Sequence, residues 1–476
     1  MTVSARLAEL VVSRRYEDLP ASTVAAAKAH LLDGLGIILS GSRTPLAAFA
    51  ERYLARPERG RLDPASTEWP VMFPSADRRL PLEDAAFLLG CMAFSQNYGD
   101  TSLLSVAHPN TLVVPALLLA SQQGAVSGKE ALVALVVGYQ VLEYAAQALN
   151  NGIPRMGHQL KGFRPSSSCG ALGVVATAGR LAGTSSHQLA TALEIACNFG
   201  GGIRRSTGGS LSSLRVHAGQ SVRDGMLSLL LTQEGLFGEP EMFEGSGGFF
   251  SAYAGGPLDA RVGRYLEPTA WAVEDVAFKF HCTAHTLITA LDCVLEIARQ
   301  MQSDPDEVET VDIWVPDEHT RISAARPRPP VDPEEGGRLY EYCTAIVIRS
   351  RDYVWPESLE DYFEDPQIRD LLDRVRVHSD PELSRRFEEV PGSWPARARV
   401  VASGQRFEAE MDFPVGSRLD AVVGKLVEAK FHRLARGTVS DERAEAITSF
   451  VSDLENVPDF HRALMGADRW SSICKA

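Results

Sequence analysis

The amino-acid sequence predicts a mostly α-helical protein in two parts. A large all-helical domain is formed by both chain ends, residues 1–267 and 414–476, and a smaller α+β domain is inserted at 268–413. Three observations predict this. Apolar residues recur every three or four positions through most of the first two-thirds of the chain. Period-two alternation appears only after about residue 265. Helical periodicity then returns after Pro414.

Each element follows from local pattern. Val24, Ala27, Leu31, Leu35 and Ile38 share one helix face, with Pro20 near the start and Gly41 just past the end. Ser127 and Glu130 have capping-box spacing and open Ala131–Ala148, which is apolar on nearly all sides and reads as a buried helix. Gly170–Leu181 is rich in small residues, which suits close helix packing. Ser185 and Gln188 form a second capping box, for a helix reaching about Asn198. Asn198–Ser213 is a glycine- and serine-rich loop, and Val216–Glu234 is helical again. Val311, Ile313 and Val315 alternate within Val308–Val315, a strand, and Arg374–His378 is a second short one. Ala396–Ala402 and Arg406–Phe413 flank Ser403-Gly404, a hairpin signal. Arg326–Gly337 is a loop by its proline and glycine content. Leu419–Leu434 and Asp441–Leu454 are the returning helices.

Composition narrows the function classes. The 476 residues are 45% hydrophobic and 23% charged, ordinary for a globular protein of two or three domains. Against 61 Asp and Glu stand 47 Lys and Arg, a net charge of −14. Such a chain repels phosphate backbones and anionic lipid, so neither nucleic acid nor membrane is an expected partner. The seven cysteines, at 91, 169, 197, 282, 293, 343 and 474, contain no CxxC pair. A disulfide framework or zinc knuckle is not expected, and a reducing compartment is. Met1–Leu19 is polar and amphipathic with no apolar signal-peptide core, and no uncharged apolar run reaches the length of a span. Cytoplasm is the expected location.

A few residues are placed for chemistry. His108 lies in Ala-His-Pro-Asn, after the polar turn Asn97-Tyr98-Gly99-Asp100-Thr101-Ser102. Such a turn at a helix start can set an imidazole in a cleft, although a His-Pro turn also occurs as plain helix capping. His281 and His285 are spaced i, i+4, which on a helix would present both on one face. No third ligand or HExxH pattern accompanies them, so an acid or base role is the better functional reading and no metal is expected. Gly200–Ser213 lacks the P-loop pattern and does not follow a strand, but its Arg204 and Arg205 can bind a carboxylate. Ser166-Ser167-Ser168 lacks the GxSxG context of a serine hydrolase.

Taken in order, a set of segments resembles the MmgE/PrpD family. They are Leu31-Leu32-Asp33-Gly34-Leu35-Gly36, the Asp100-Thr101 loop to His108-Pro109, Val126-Ser127-Gly128-Lys129-Glu130 and Gly138-Tyr139-Gln140-Val141. Gly162-Phe163-Arg164-Pro165, His217-Ala218-Gly219 and Phe243-Glu244-Gly245-Ser246-Gly247-Gly248-Phe249 follow. Lys279-Phe280-His281-Cys282 with His285, and Phe413-Pro414-Val415-Gly416 with Lys430-Phe431, complete the set. The resemblance implies a large helical domain, a smaller α+β lid, an active site in the cleft between them, and a homodimer. It also implies cofactor-independent lyase or isomerase chemistry beside a carboxylate of a small-molecule acid. By the same resemblance His108, His285 and Tyr342 are the catalytic candidates. Asp100, Thr101, His217 and His281 lie on the substrate side, with Arg204 and Arg205 joining them from the loop.

Three positions depart from the family pattern. Asn97 stands where Asp is common, Arg164 where His is common, and Leu214 where a pocket Lys is usual. Arginine is a fixed bidentate donor and does not shuttle protons near neutral pH. Arg215 can replace the missing Lys only if the backbone shifts. The leading expectation is a lyase that uses His108 and His285 on a less anionic acid anchored by Arg164. A two-base epimerase and a non-catalytic binding protein on the same scaffold are the alternatives.

Overall fold

The computed structural model describes residues 1–56, 69–71, 78–150, 155–204, 212–254, 265–266, 269–323 and 329–466. Its larger part is a stack of helices around two long apolar ones. Ala21–Gly41 and Gly128–Ala148 each run 21 residues and have the length and hydropathy of a membrane span. Their apolar windows are 78% and 94% buried inside the protein, so other helices supply the apolar surroundings.

Small residues set how closely the helices approach. Leu82–Phe94 crosses His217–Gln233 at Gly90 and Gly219, where a Cβ on Gly90 would lie 2.6 Å from the Gly219 Cα. Gly128–Ala148 meets Gly170–Leu181 at Gly138, where a Cβ would lie 2.0 Å from Thr177 Oγ1. The small-residue content of Gly170–Leu181 thus does what its sequence suggests. Ser185 and Gln188 form a complete capping box. Ser127 caps its helix by accepting from Glu130 N–H at 3.2 Å, but the Glu130 carboxylate turns to Arg180 instead, 3.1 Å away. The second half of that box is traded for an ion pair between helices.

The helix Ala421–Ala435, from the last part of the chain, lies on Ala21–Gly41 from the first. Phe431 packs over Gly36, and Lys430 Nζ meets Asp33 Oδ1 at 2.7 Å with neither side chain exposed. The amphipathic N-terminus forms the helix Val3–Ser13.

Eight strands are described: β1 Trp69–Val71, β2 Arg78–Leu80, β3 Thr101–Ser102, β4 Val276–Ala277, β5 Val308–Val315, β6 Val375–Ser379, β7 Ala396–Ala402 and β8 Gln405–Met411. The last four form one sheet in the order β6-β5-β7-β8. β5 runs parallel to β6 and antiparallel to β7. Ser403 and Gly404, both at positive φ, turn the β7–β8 hairpin. Val311, Ile313 and Val315 of β5 and Ala396, Ala398, Val400 and Ala402 of β7 are buried on the covered face. The helices Ile288–Gln300 and Tyr340–Ser350 pack against this sheet. The two-residue pair β3–β4 ties the Thr101 turn to the segment leading into the α+β part, with Thr101 opposite Ala277.

One local expectation fails. His281 and His285 do not share a helix face, because residues 281–284 are irregular and His285 opens a 3-10 turn. Cys282 N–H donates to Val354 O, and Ala284 N–H to Gly337 O, so the segment spends its hydrogen bonds on other loops.

Candidate functional site

The site begins with the turn that carries His108. Asn97 and Val106 take positive φ, at 51° and 65°, and bend the chain back on itself. Buried Glu143 holds the turn from below. Its carboxylate accepts from Ser102 Oγ at 2.7 Å and from Ser105 Oγ at 2.9 Å. Asp100 N–H donates to Asn110, and Asn110 N–H returns to Asp100 Oδ1 at 3.0 Å. His108 then lies 2% exposed, with its own N–H on Ser166 Oγ at 2.9 Å.

His108 Nδ1 lies 2.6 Å from the Asp100 carbonyl oxygen. A carbonyl only accepts, so Nδ1 carries the proton and Nε2 presents its lone pair. Burial lowers the His108 pKa to about 3, with Lys279 and Arg164 adding repulsion. The His285 ring centroid lies 6.0 Å from that of His108. Its Nε2 is buried without a hydrogen-bond partner among the described residues, and its ring stands edge-on to Trp394 at 5.4 Å. Burial again leads, and His108, Lys279 and Arg164 follow, in holding His285 well below the usual imidazole range. Both rings are neutral near pH 7.

His285 lines a cavity of about 50 Å³ together with Phe94, Asn97, Gln159, Leu214, Thr286 and four arginines, 164, 204, 215 and 338. The Arg164 guanidinium lies 5.3 Å over the Phe94 ring and forms no ion pair among the described residues. Burial, then Arg338 and Arg204, lowers its pKa to about 9. Arg204 Nε donates to Gln159 O at 3.1 Å. Arg215 is 1% exposed, donates to Phe94 O at 3.3 Å and pairs with Glu334. Lys279 is fully buried and donates to Asn97 O at 2.6 Å, and burial lowers its pKa to about 7. Among the described residues, four arginines and Lys279 lie around the imidazole pair, and the Glu334 carboxylate is paired with Arg215 and Arg338. Such a cavity attracts a polyanion and stabilises negative charge that develops on it.

Two domains of one family match nearly the whole chain. The MmgE/PrpD N-terminal domain matches residues 5–260 and the MmgE/PrpD C-terminal domain residues 280–456. The chain belongs to the MmgE/PrpD family. Among curated relatives, the Homo sapiens cis-aconitate decarboxylase is 25% identical over 447 residues, covering 91% of this chain and 87% of its own. The Mus musculus enzyme of the same name is 24% identical and covers 96% and 92%. A cis-aconitate decarboxylase-like protein of Aspergillus oryzae is 25% identical over 97% and 96%.

Within this MmgE/PrpD chain the fold gathers some of the expected residues and disperses others. His108, His285, Asn97, Arg164 and Arg204 meet at or beside the cavity. His217 joins them through Phe94, its ring centroid 4.4 Å away and its Nε2 buried without a partner among the described residues. Asp100 is adjacent but acts through its backbone carbonyl. Its carboxylate is spent on Tyr139 Oη at 2.6 Å and His30 Nδ1 at 2.9 Å, and the residue is fully buried. Thr101 is fully buried in β3, with its hydroxyl unpartnered.

Two candidates are corrected. The Tyr342 hydroxyl donates to Leu359 O at 2.7 Å, and its ring lines a different cavity of about 710 Å³ with Phe363. Its helix turns it away from the histidines. His281 accepts from Val354 N–H at 3.1 Å and faces Asp292 at 3.3 Å, so it braces the fold. Arg205 lies outside the described residues.

Sequence reasoning missed Arg338, Gln159 and Thr286, and it assigned no role to Lys279. Arg215 reaches the cavity without a register shift, because Ser213–Val216 is a tight 3-10 turn on which Leu214 and Arg215 both line the wall. Lys279 alone had a signal, its place beside Phe280 and His281 in a family-like segment.

Proposed function

We propose that this MmgE/PrpD chain is a lyase acting beside a carboxylate of a di- or tricarboxylic acid, with His108 and His285 as its acid and base. The observation that carries the reading is the neutral imidazole pair, 6.0 Å apart, at a cavity walled by four arginines. The family and the names of the curated relatives support a decarboxylase or dehydratase outcome. Four arginines also favour a more anionic substrate than the loss of the pocket Lys at Leu214 suggests.

The chemistry follows from the charges. Carboxylates settle on the four arginines that line the cavity, 164, 204, 215 and 338. Their negative charge opposes the burial and the cationic repulsion that hold both histidines neutral, so one imidazole gains a proton and becomes the acid. The other stays a base, and the guanidinium field stabilises the carbanion or enolate formed when the base takes an α-proton or a carboxylate leaves as CO₂; the acid then protonates the departing hydroxyl in the first case and the carbon in the second. A water occupies roughly 30 Å³ in the liquid, so the cavity has space for one or two waters, and a substrate enters by widening it.

The test uses His108→Gln and His285→Gln with cis-aconitate and related tricarboxylates. Each change is expected to cut turnover about 100-fold or more. Full activity in both variants would sink the assignment. Running the reaction in D₂O separates elimination from isomerisation, since only isomerisation returns an unfragmented acid labelled at the α-carbon.

A further inference from the structure

The Arg215–Arg338 wall already holds a carboxylate, and it is the protein's own. Glu334 sits on the short helix Pro333–Gly336. Its Oε1 pairs with Arg215 and lies 3.4 Å from Arg338 Nη2. Its Oε2 is buried with no hydrogen-bond partner among the described residues. Leaving one oxygen of a buried carboxylate unsatisfied costs free energy that the ion pair must offset. Arg164 differs: among the described residues it has no ion pair, and its Nε is buried without a partner. One anion position is therefore open and the other is filled, in a cavity too small for a carboxylic acid of several carbons.

We infer that Glu334 is an internal stand-in for one substrate carboxylate, holding the Arg215–Arg338 position until a substrate anchored on Arg164 displaces it. The inference rests on the carboxylate-binding part of the function proposed above. It makes Glu334 a specificity-determining residue that does not touch the reacting carbon. An acid with one carboxylate fills the Arg164 position and leaves Glu334 in place. An acid with a second carboxylate within reach of Arg215 and Arg338 exchanges with it. The Glu334 side chain is 17% exposed, so it has a path toward solvent when displaced.

Calorimetric titration of wild type and Glu334→Gln with cis-aconitate and with acetate, at fixed pH and ionic strength, tests this. Without the competing charge, cis-aconitate is expected to bind about tenfold tighter to E334Q, while acetate binds both proteins alike. Unchanged or weaker cis-aconitate binding overturns the inference, and so does equal tightening for acetate. Should E334Q lose its cooperative melting transition, Glu334→Asp, which withdraws the carboxylate by one methylene, is expected to tighten cis-aconitate binding to a lesser degree. Arg164→Met separates the two ideas. If it abolishes binding while E334Q matches wild type, carboxylate binding stands and the stand-in fails. If neither wild type nor E334Q binds any carboxylate, both fall.

Discussion

The buried titratable residues of the site pull stability in opposite directions with pH. Burial lowers the His108 pKa to about 3, below its value in the unfolded chain. Between that value and about 6.5 the unfolded state binds the extra proton, so His108 makes the fold less stable as pH falls through this window. Glu143 has the reverse sign. Burial raises its pKa to about 7, against the two serine hydrogen bonds that lower it. From about 4.5 to 7 the folded state binds the extra proton, so stability falls as pH rises. Each group contributes about 1.4 kcal/mol per pH unit within its window. Chemical denaturation of Glu143→Gln from pH 4.5 to 7 is expected to show stability rising more steeply with pH than in wild type. An unchanged slope would mean Glu143 is ionised throughout. The same residues bear on binding. A dicarboxylate that raises the pKa of His108 or His285 draws protons from solution, so titrations in buffers of different ionisation enthalpy are expected to reveal proton uptake. Equal heats in all buffers would count against the proposed acid/base pair.

At the scale of elements, legibility followed periodicity. Val308–Val315 alternates because one face of its sheet is covered, so its pattern is visible without a partner. The helix Ala21–Gly41 was readable for the same reason, from a face repeating at 3.6 residues. The segment around His281 was not, because residues 281–284 are shaped by distant carbonyls at Val354 and Gly337 that local spacing does not encode. Glycine contacts carry a prediction at this scale. A side chain at Gly90 runs into the backbone of the facing helix, not into a flexible side chain. Gly90→Val is expected to cost about 1–3 kcal/mol or more, read as a lowered melting temperature, since overpacked cores relax only partly. Gly124, which faces open space, is the control and its substitution by Ala is expected to be nearly silent.

For the whole molecule, the junction between the turn that carries His108 and the segment 387–394 is a knot around Arg155. Its guanidinium donates to Phe387 O at 2.6 Å, Ser393 O at 2.8 Å and Leu103 O, and lies 4.5 Å over the Phe387 ring. Trp394 Nε1 adds a bond to Leu103 O at 2.8 Å, on the turn that carries His108. Arg155→Met is expected to destabilise the protein by about 2–4 kcal/mol, because it orphans several buried carbonyls. Faster limited proteolysis at the junction would report the same loosening, and an unchanged melting temperature would remove the knot's importance. Charge adds a prediction of its own. The molecule carries −14 overall, yet its cavity is cationic. Carboxylate binding at the buried arginines is expected to weaken only modestly with salt, because buried pairs are screened less than surface ones.

The sequence by itself determined the mostly helical class, the strands β5 and β7, the family, and the histidine that follows the Asp100 turn. These depend on periodicity, turn chemistry and ordered motifs, which are local along the chain. Only the tertiary structure decided that Tyr342 and His281 point away from the cavity. It alone brought Arg215 and Arg338 to one wall, with Glu334 between them, and put Lys279 behind the imidazoles. Arg215, Glu334 and Lys279 are far apart in sequence, and no residue repeats to announce their meeting. Their roles depend on burial and on which charges become neighbours, and folding sets both through long-range packing.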